Sequence, residues 1–183
     1  MIRTAYGDLT ESYGGDWWES DPSGICQGNG AGPAIWAIVS SPLFECLRQR
    51  GFGAELQSAI TSTFFHISGF AFVDDTDTVQ TGAQGEKTPE VLDKAQKELN
   101  LWEELVRATG GGLEGEKSDF VVINYKWTGG HWKYEQPRDD DELTVRNPDG
   151  SRTALTQLLP SEARRTLGVW QAIDGNEETQ TKN

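Results

Sequence analysis

The chain has 183 residues, enough for one domain with a core of its own. Its 29 acidic and 16 basic side chains leave a net charge of −13, which argues against a free-standing nucleic-acid binder with a broad basic face. Two cysteines (Cys26, Cys46) and two histidines (His66, His131) provide no disulfide framework, no zinc spacing and no His-rich metal centre.

No apolar run reaches the ~20 residues a membrane span needs, and Met1-Ile-Arg-Thr-Ala-Tyr-Gly-Asp8 lacks the apolar core of a signal peptide. The expectation is an intracellular protein with no membrane partner; nucleus and cytoplasm are not distinguishable. Residues 1–31, rich in Gly, Ser, Asp and Trp, read as loop. Residues 32–50 read as an apolar helix with Pro33 in its first turn and Gly51 at its end, and Pro42 is expected to kink or divide it. Residues 62–73 read as a strand and residues 76–81 as its return partner, with two acids at the tip. Residues 89–109 form the clearest helix: Val91, Leu92, Ala95, Leu99, Trp102, Leu105 and Val106 share one face. Thr88-Pro89 opens it and Gly110-Gly111-Gly112 stops it. Residues 119–127 read as a strand turned back by Gly129-Gly130 into 131–135. Residues 136–150 read as polar loop, a short strand is expected near 166–171, and the tail from about Asp174 reads as frayed. Helix, hairpin, helix, hairpin is an α+β order, with two helices backed on one face of an antiparallel sheet.

Four segments carry candidate chemistry. Phe70-Ala-Phe-Val-Asp-Asp-Thr-Asp77 is an apolar, β-prone run ending in adjacent carboxylates, Asp74 and Asp75. Like charges at short range repel, and a divalent cation offsets that repulsion. Hard oxygen ligands suit Mg2+ or Mn2+. The plainer alternative is a turn, where Asp is favoured. Gln27-Gly-Asn-Gly-Ala-Gly-Pro33 is either a glycine loop that approaches a phosphate or sugar before a helix, or an ordinary helix entry. It is not a phosphate-binding loop of the Gly-Lys-Ser/Thr type. Lys117, after a Gly-rich turn, either faces a phosphate or is simply solvated. Trp17-Trp18 is either a stacking platform or the cover of a core edge, while Asp139–Asp141 reads as solvated loop.

In their order along the chain these segments resemble the palm of a retrotransposon-type reverse transcriptase. Phe72-Val73-Asp74-Asp75 matches the family's Phe/Tyr-x-Asp-Asp hairpin. Gln27-Gly28 and Pro33 match its Gln-Gly block, with Cys26 where Pro is usual and Gly32 where Ser is usual. Gly110–Gly112 and Lys117 match a Gly-rich turn leading to a lysine, and Leu167-Gly168-Val169 matches the primer-holding hairpin. The resemblance covers roughly residues 20–170, and a further upstream aspartate of the family has no counterpart; Asp8-Leu-Thr-Glu-Ser-Tyr13 imitates its pattern but lies too close to Gln27.

The resemblance implies a loop-rich segment 1–19, a partial palm 20–173 of ferredoxin-like type and a tail 174–183. It implies nucleotidyl transfer with Mg2+ or Mn2+ held by Asp74 and Asp75. Lys117 would stand near the leaving pyrophosphate, Gln27, Gly28 and Phe72 beside template and nucleotide, and Leu167 and Gly168 at the primer end. Partners of the complete enzyme would be an RNA template, a DNA primer and a deoxynucleoside triphosphate. Fingers, thumb and the third aspartate are expected to be missing, so the isolated chain is expected to be inactive and to bind nucleic acid weakly or not at all. Two alternatives stay open: a non-catalytic retroelement remnant acting as an interaction domain, and an unrelated acidic α+β domain.

Overall fold

A computed structural model describes residues 31–72, 75–138, 140–147, 149–166 and 169–175, together with the backbone of two short strands, β1 (Ser12–Tyr13) and β2 (Asp16–Trp17). The fold is α+β. Helix α1 spans Gly32–Gln49 and α2 spans Thr88–Ala108. Pro33 sits in the first turn of α1, where its missing N–H costs nothing. Pro42 does not divide the helix. The carbonyl it leaves without an amide donor belongs to Ile38, which is exposed, so water can take that place. At the start of α2, Glu90 reaches back to accept the Lys87 backbone N–H at 2.8 Å, which satisfies a donor the helix cannot.

The two helices bury their apolar stripes against each other. Leu43 and Leu47 of α1 and Trp102 and Val106 of α2 form the buried cluster, flanked by Phe44, Phe52, Leu101, Leu105 and Leu113. The Phe44 and Trp102 rings lie 5.0 Å apart in a tilted stack.

The strands among the described residues form two-stranded ladders, not the single antiparallel sheet expected behind the two helices. β3 (Ala54–Gln57) pairs antiparallel with β4 (Phe64–Ile67), and β5 (Gly69–Phe72) pairs antiparallel with β6 (Asp75–Thr78). The single strand expected over 62–73 is thus two strands, broken at Ser68 and given to different partners. β3 was not anticipated at all, because Glu55 and Gln57 dilute its apolar pattern. Gln80 clamps the two hairpins together: its side-chain amide accepts from Gly53 N at 3.2 Å and donates to Gly53 O at 3.4 Å.

Downstream, β7 (Asp119–Val121) pairs in parallel with β12 (Thr156–Leu158). The hairpin β8 (Tyr125–Thr128) and β9 (His131–Tyr134) follows as expected, but the strand predicted over 119–127 is interrupted at 122–124. β10 (Thr144–Arg146), within the residues 136–150 read as polar loop, is a strand and pairs with β11 (Arg152–Ala154). Val145 there is fully buried. Leu143 and Val145 alternate, but two apolar residues between Glu142 and Arg146 are too short a period for a strand to be read from sequence. Helix α2 holds β10 by polar clamps. Gln96 accepts Thr144 N at 2.8 Å and donates to Thr144 O at 2.9 Å, and the Glu103 carboxylate accepts Arg146 N. β13 (Arg164–Thr166) and β14 (Val169–Gln171) close the order.

Gly69 is where the acidic hairpin meets the helices. A Cβ built there would stand 2.8 Å from the Phe44 ring and closer still to the Asp77 carbonyl. Gly69→Ala is therefore expected to lower stability by about 1–3 kcal/mol, read as a fall in the urea midpoint. An unchanged midpoint would show that α1 does not seat on β5 as described.

Candidate metal and nucleotide site

The acidic pair was expected at the tip of a hairpin. Phe72 ends β5 and pairs with Asp75, which opens β6. Asp74, with Val73, lies outside the described residues. On this ladder Phe70 is opposite Asp77 and Phe72 opposite Asp75. Side chains two apart share a face, so two carboxylates and two phenyl rings line one face. All four are exposed, and both phenylalanines are 59% accessible. Neither the Asp75 nor the Asp77 side chain makes a hydrogen bond or ion pair among the described residues, which leaves the carboxylate oxygens open to a cation or to water.

Lys117 ends a 3-10 turn at Gly115–Lys117, directly before β7. Gly115 is buried there because a Cβ would stand 2.9 Å from Val145 and 3.1 Å from Thr153, so the turn packs on the β10–β11 ladder. The Lys117 side chain is exposed, and its carbonyl accepts from Arg164 Nη2 at 3.4 Å. Arg164 also pairs with Asp119 at 2.7 Å. Burial pushes the Asp119 carboxyl up, the Arg164 guanidinium pulls it down, and the charge of Asp77 pushes it up again.

Asp119 and Arg164 were not singled out from the sequence. Asp119 stands two positions after Lys117, which was the available signal. Arg164 comes from a strand 45 residues away and had none.

Gln27, Gly28, Leu167 and Gly168 all lie outside the described residues. The short strand expected near 166–171 is instead two strands, Arg164–Thr166 and Val169–Gln171, with Thr166 paired to Val169. Trp18 and Asp8 are likewise outside. Among the described residues no group of three His, Cys, Asp or Glu side chains is arranged to hold a metal ion. The described part of the site fits a divalent cation by its chemistry, two free hard-oxygen carboxylates on one strand face, and is incomplete by count.

Comparison with protein-family models, with curated proteins and with solved structures found no match. No helix among the described residues is long and apolar enough to cross a membrane.

Proposed function

We propose that this chain carries the palm-type, ferredoxin-like core of an RNA-directed DNA polymerase of the retrotransposon kind. The observation that supports the reading most is the antiparallel hairpin that carries the Phe-x-Asp-Asp sequence, with Phe72 opposite Asp75. Mg2+ or Mn2+ bound by such a site supplies charge neutralisation at the nucleotide phosphates and activates the primer hydroxyl. Asp74 and Asp75 are the residues that would hold it. Lys117 would hold a proton near the leaving pyrophosphate. Gln27, Gly28 and Phe72 would position template and nucleotide, and Leu167 and Gly168 the primer end. Arg164 keeps the Lys117 turn and Asp119 in place.

A second reading, a non-catalytic remnant acting as an interaction domain, is favoured by one observation: the described acids do not assemble a three-ligand centre. Both readings accept weak cation binding at the acidic hairpin; activity separates them. Manganese relaxation or titration calorimetry is expected to show weak binding that Asp74→Asn/Asp75→Asn removes. Equal binding by both proteins would remove the metal site from this hairpin. Primer extension on an RNA template is expected to be absent with these 183 residues alone, because the third carboxylate is unassigned and the net charge of −13 opposes a duplex. Extension abolished by Asp74→Asn would show instead that an acid within the chain completes the centre.

A further inference from the structure

A cleft of about 120 Å³ lies between α2 and the β10–β11 ladder, and no residue of the acidic hairpin lines it. Asn100, Glu103, Glu104 and Arg107 come from α2, spaced three and four apart and so on one helical face. Arg146 and Arg152 come from the ladder, where they stand directly opposite each other. Opposite residues of an antiparallel pair point the same way, so two guanidinium side chains leave one face. Such a like-charge pair costs stability unless negative charge is brought to it.

The fold brings one buried acid. Glu103 is 7% exposed; its carboxylate accepts Arg146 N and stands 4.0 Å from Arg152 Nη1. Arg152 is held further: Nε donates to Thr144 Oγ1 at 2.9 Å, and Nη2 donates to Thr144 O at 2.9 Å and to Asn100 Oδ1 at 3.0 Å. The other two guanidinium groups are uncommitted. Arg107 follows Glu104 by three residues and Glu103 by four, the spacings at which helical ion pairs form, yet it pairs with neither. The Arg146 side chain has no partner among the described residues. Asn100 accepts from Gln96 and Arg152, while its Nδ2 has no hydrogen-bond partner among the described residues.

Charge and size say what kind of occupant fits. Three arginines against two glutamates leave the cleft one positive charge in excess, in a chain of net charge −13. Open carbonyls at the end of α2 would repel an anion, but those of Val106 and Arg107 accept from Thr109, Gly110 and Gly111 N–H groups. A guanidinium is a planar fork that matches a carboxylate with paired bonds. One negative charge balances the cleft, whereas a phosphate group brings roughly two at neutral pH and overshoots beside Glu103 and Glu104. The volume is that of about four waters, which limits the ligand to a small molecule.

We propose that this cleft binds a small monocarboxylate, whose oxygens accept from the Arg107 and Arg146 guanidinium groups and from the Asn100 amide, while Glu103 and Thr144 hold Arg152 in place. The proposal uses neither the acidic hairpin nor a metal, so it and the polymerase reading fail independently.

The test is an NMR titration of the isotope-labelled full chain with sodium propionate, in chelator and at low salt, against sodium chloride at equal ionic strength and against sodium phosphate. The expected result is saturable shifts at Arg107 and Arg146, with a propionate midpoint of about 10 mM or less. Phosphate should bind about threefold more weakly or worse, and chloride should not saturate. Arg107→Gln/Arg146→Gln should weaken propionate by about tenfold or more. Arg107→Lys/Arg146→Lys, which keeps the charges without the forks, should weaken it by about threefold or more. Both arginines are exposed and unpaired, so the thermal midpoint should hold in each variant. Asp74→Asn/Asp75→Asn should bind propionate as the wild type does. Shifts that chloride reproduces would reduce the effect to charge screening and overturn the proposal. Phosphate binding as tightly as propionate, or undiminished binding in either arginine variant, would overturn it as well.

Discussion

Replacing Trp102 by alanine is expected to cost about 3–5 kcal/mol of folding stability, much of what a domain of this size possesses. Trp102 is 3% exposed and joins the two helices through Phe44, Leu43 and Leu47. Removing the indole leaves a cavity between α1 and α2, which are bound to little else that is apolar. Buried apolar side chains outside this cluster, among the described residues, are Ala54, Leu143 and Val145. The strands cannot compensate, since much of their aromatic surface faces water. Urea unfolding should show a lowered midpoint at an unchanged slope. A shift of less than about 1 kcal/mol would mean that the helix pair is not the main core. Because Phe44 also packs on Gly69, the same variant should loosen the acidic hairpin and weaken any cation binding there.

The second large effect concerns Glu98. This α2 residue is 1% exposed, and its Oε1 has no hydrogen-bond partner among the described residues. Burial pushes its carboxyl up to about 8, so it is mostly neutral at pH 7. The sign follows from where the proton sits. Below about pH 4.5 Glu98 is protonated in both folded and unfolded chain. As pH rises, the unfolded chain releases the proton first while the folded protein keeps it, so stability declines until pH passes about 8. The loss across that window is on the order of a few kcal/mol. Glu98→Gln keeps the shape without the charge, so it should remove this slope and exceed the wild type in stability at pH 8.5 by ~2–4 kcal/mol. Parallel stability curves for the two proteins between pH 5 and 8.5 would show that Glu98 ionises freely in the folded state.

Local pattern determined several features of this protein before any packing was considered. The α2 stripe, with residues three and four apart on one face, placed Trp102 and Val106 in the core. Pro33 and the Gly110–Gly112 run marked helix ends, and Gly129-Gly130 placed the β8–β9 hairpin, because a two-glycine turn admits few other backbones. The candidate acids were legible for the same reason: Phe70 to Asp75 is a contiguous, β-prone segment with its charges at one end. Only the tertiary structure decided how the strands were shared out. Ser68 splits one apolar run between two partners: Phe64–Ile67 pairs with β3, whose sequence carries no strand pattern, while Gly69–Phe72 pairs with β6. β10 depends on Gln96 and Glu103 of α2, which clamp its backbone from 48 and 43 residues away. Arg164 reaches Asp119 and the Lys117 carbonyl across a comparable span. Periodicity reports which face of an element is apolar. Polar side chains that clamp distant backbone have no period, so their partners are settled only when the chain has folded and the cost of leaving those groups unpaired falls due.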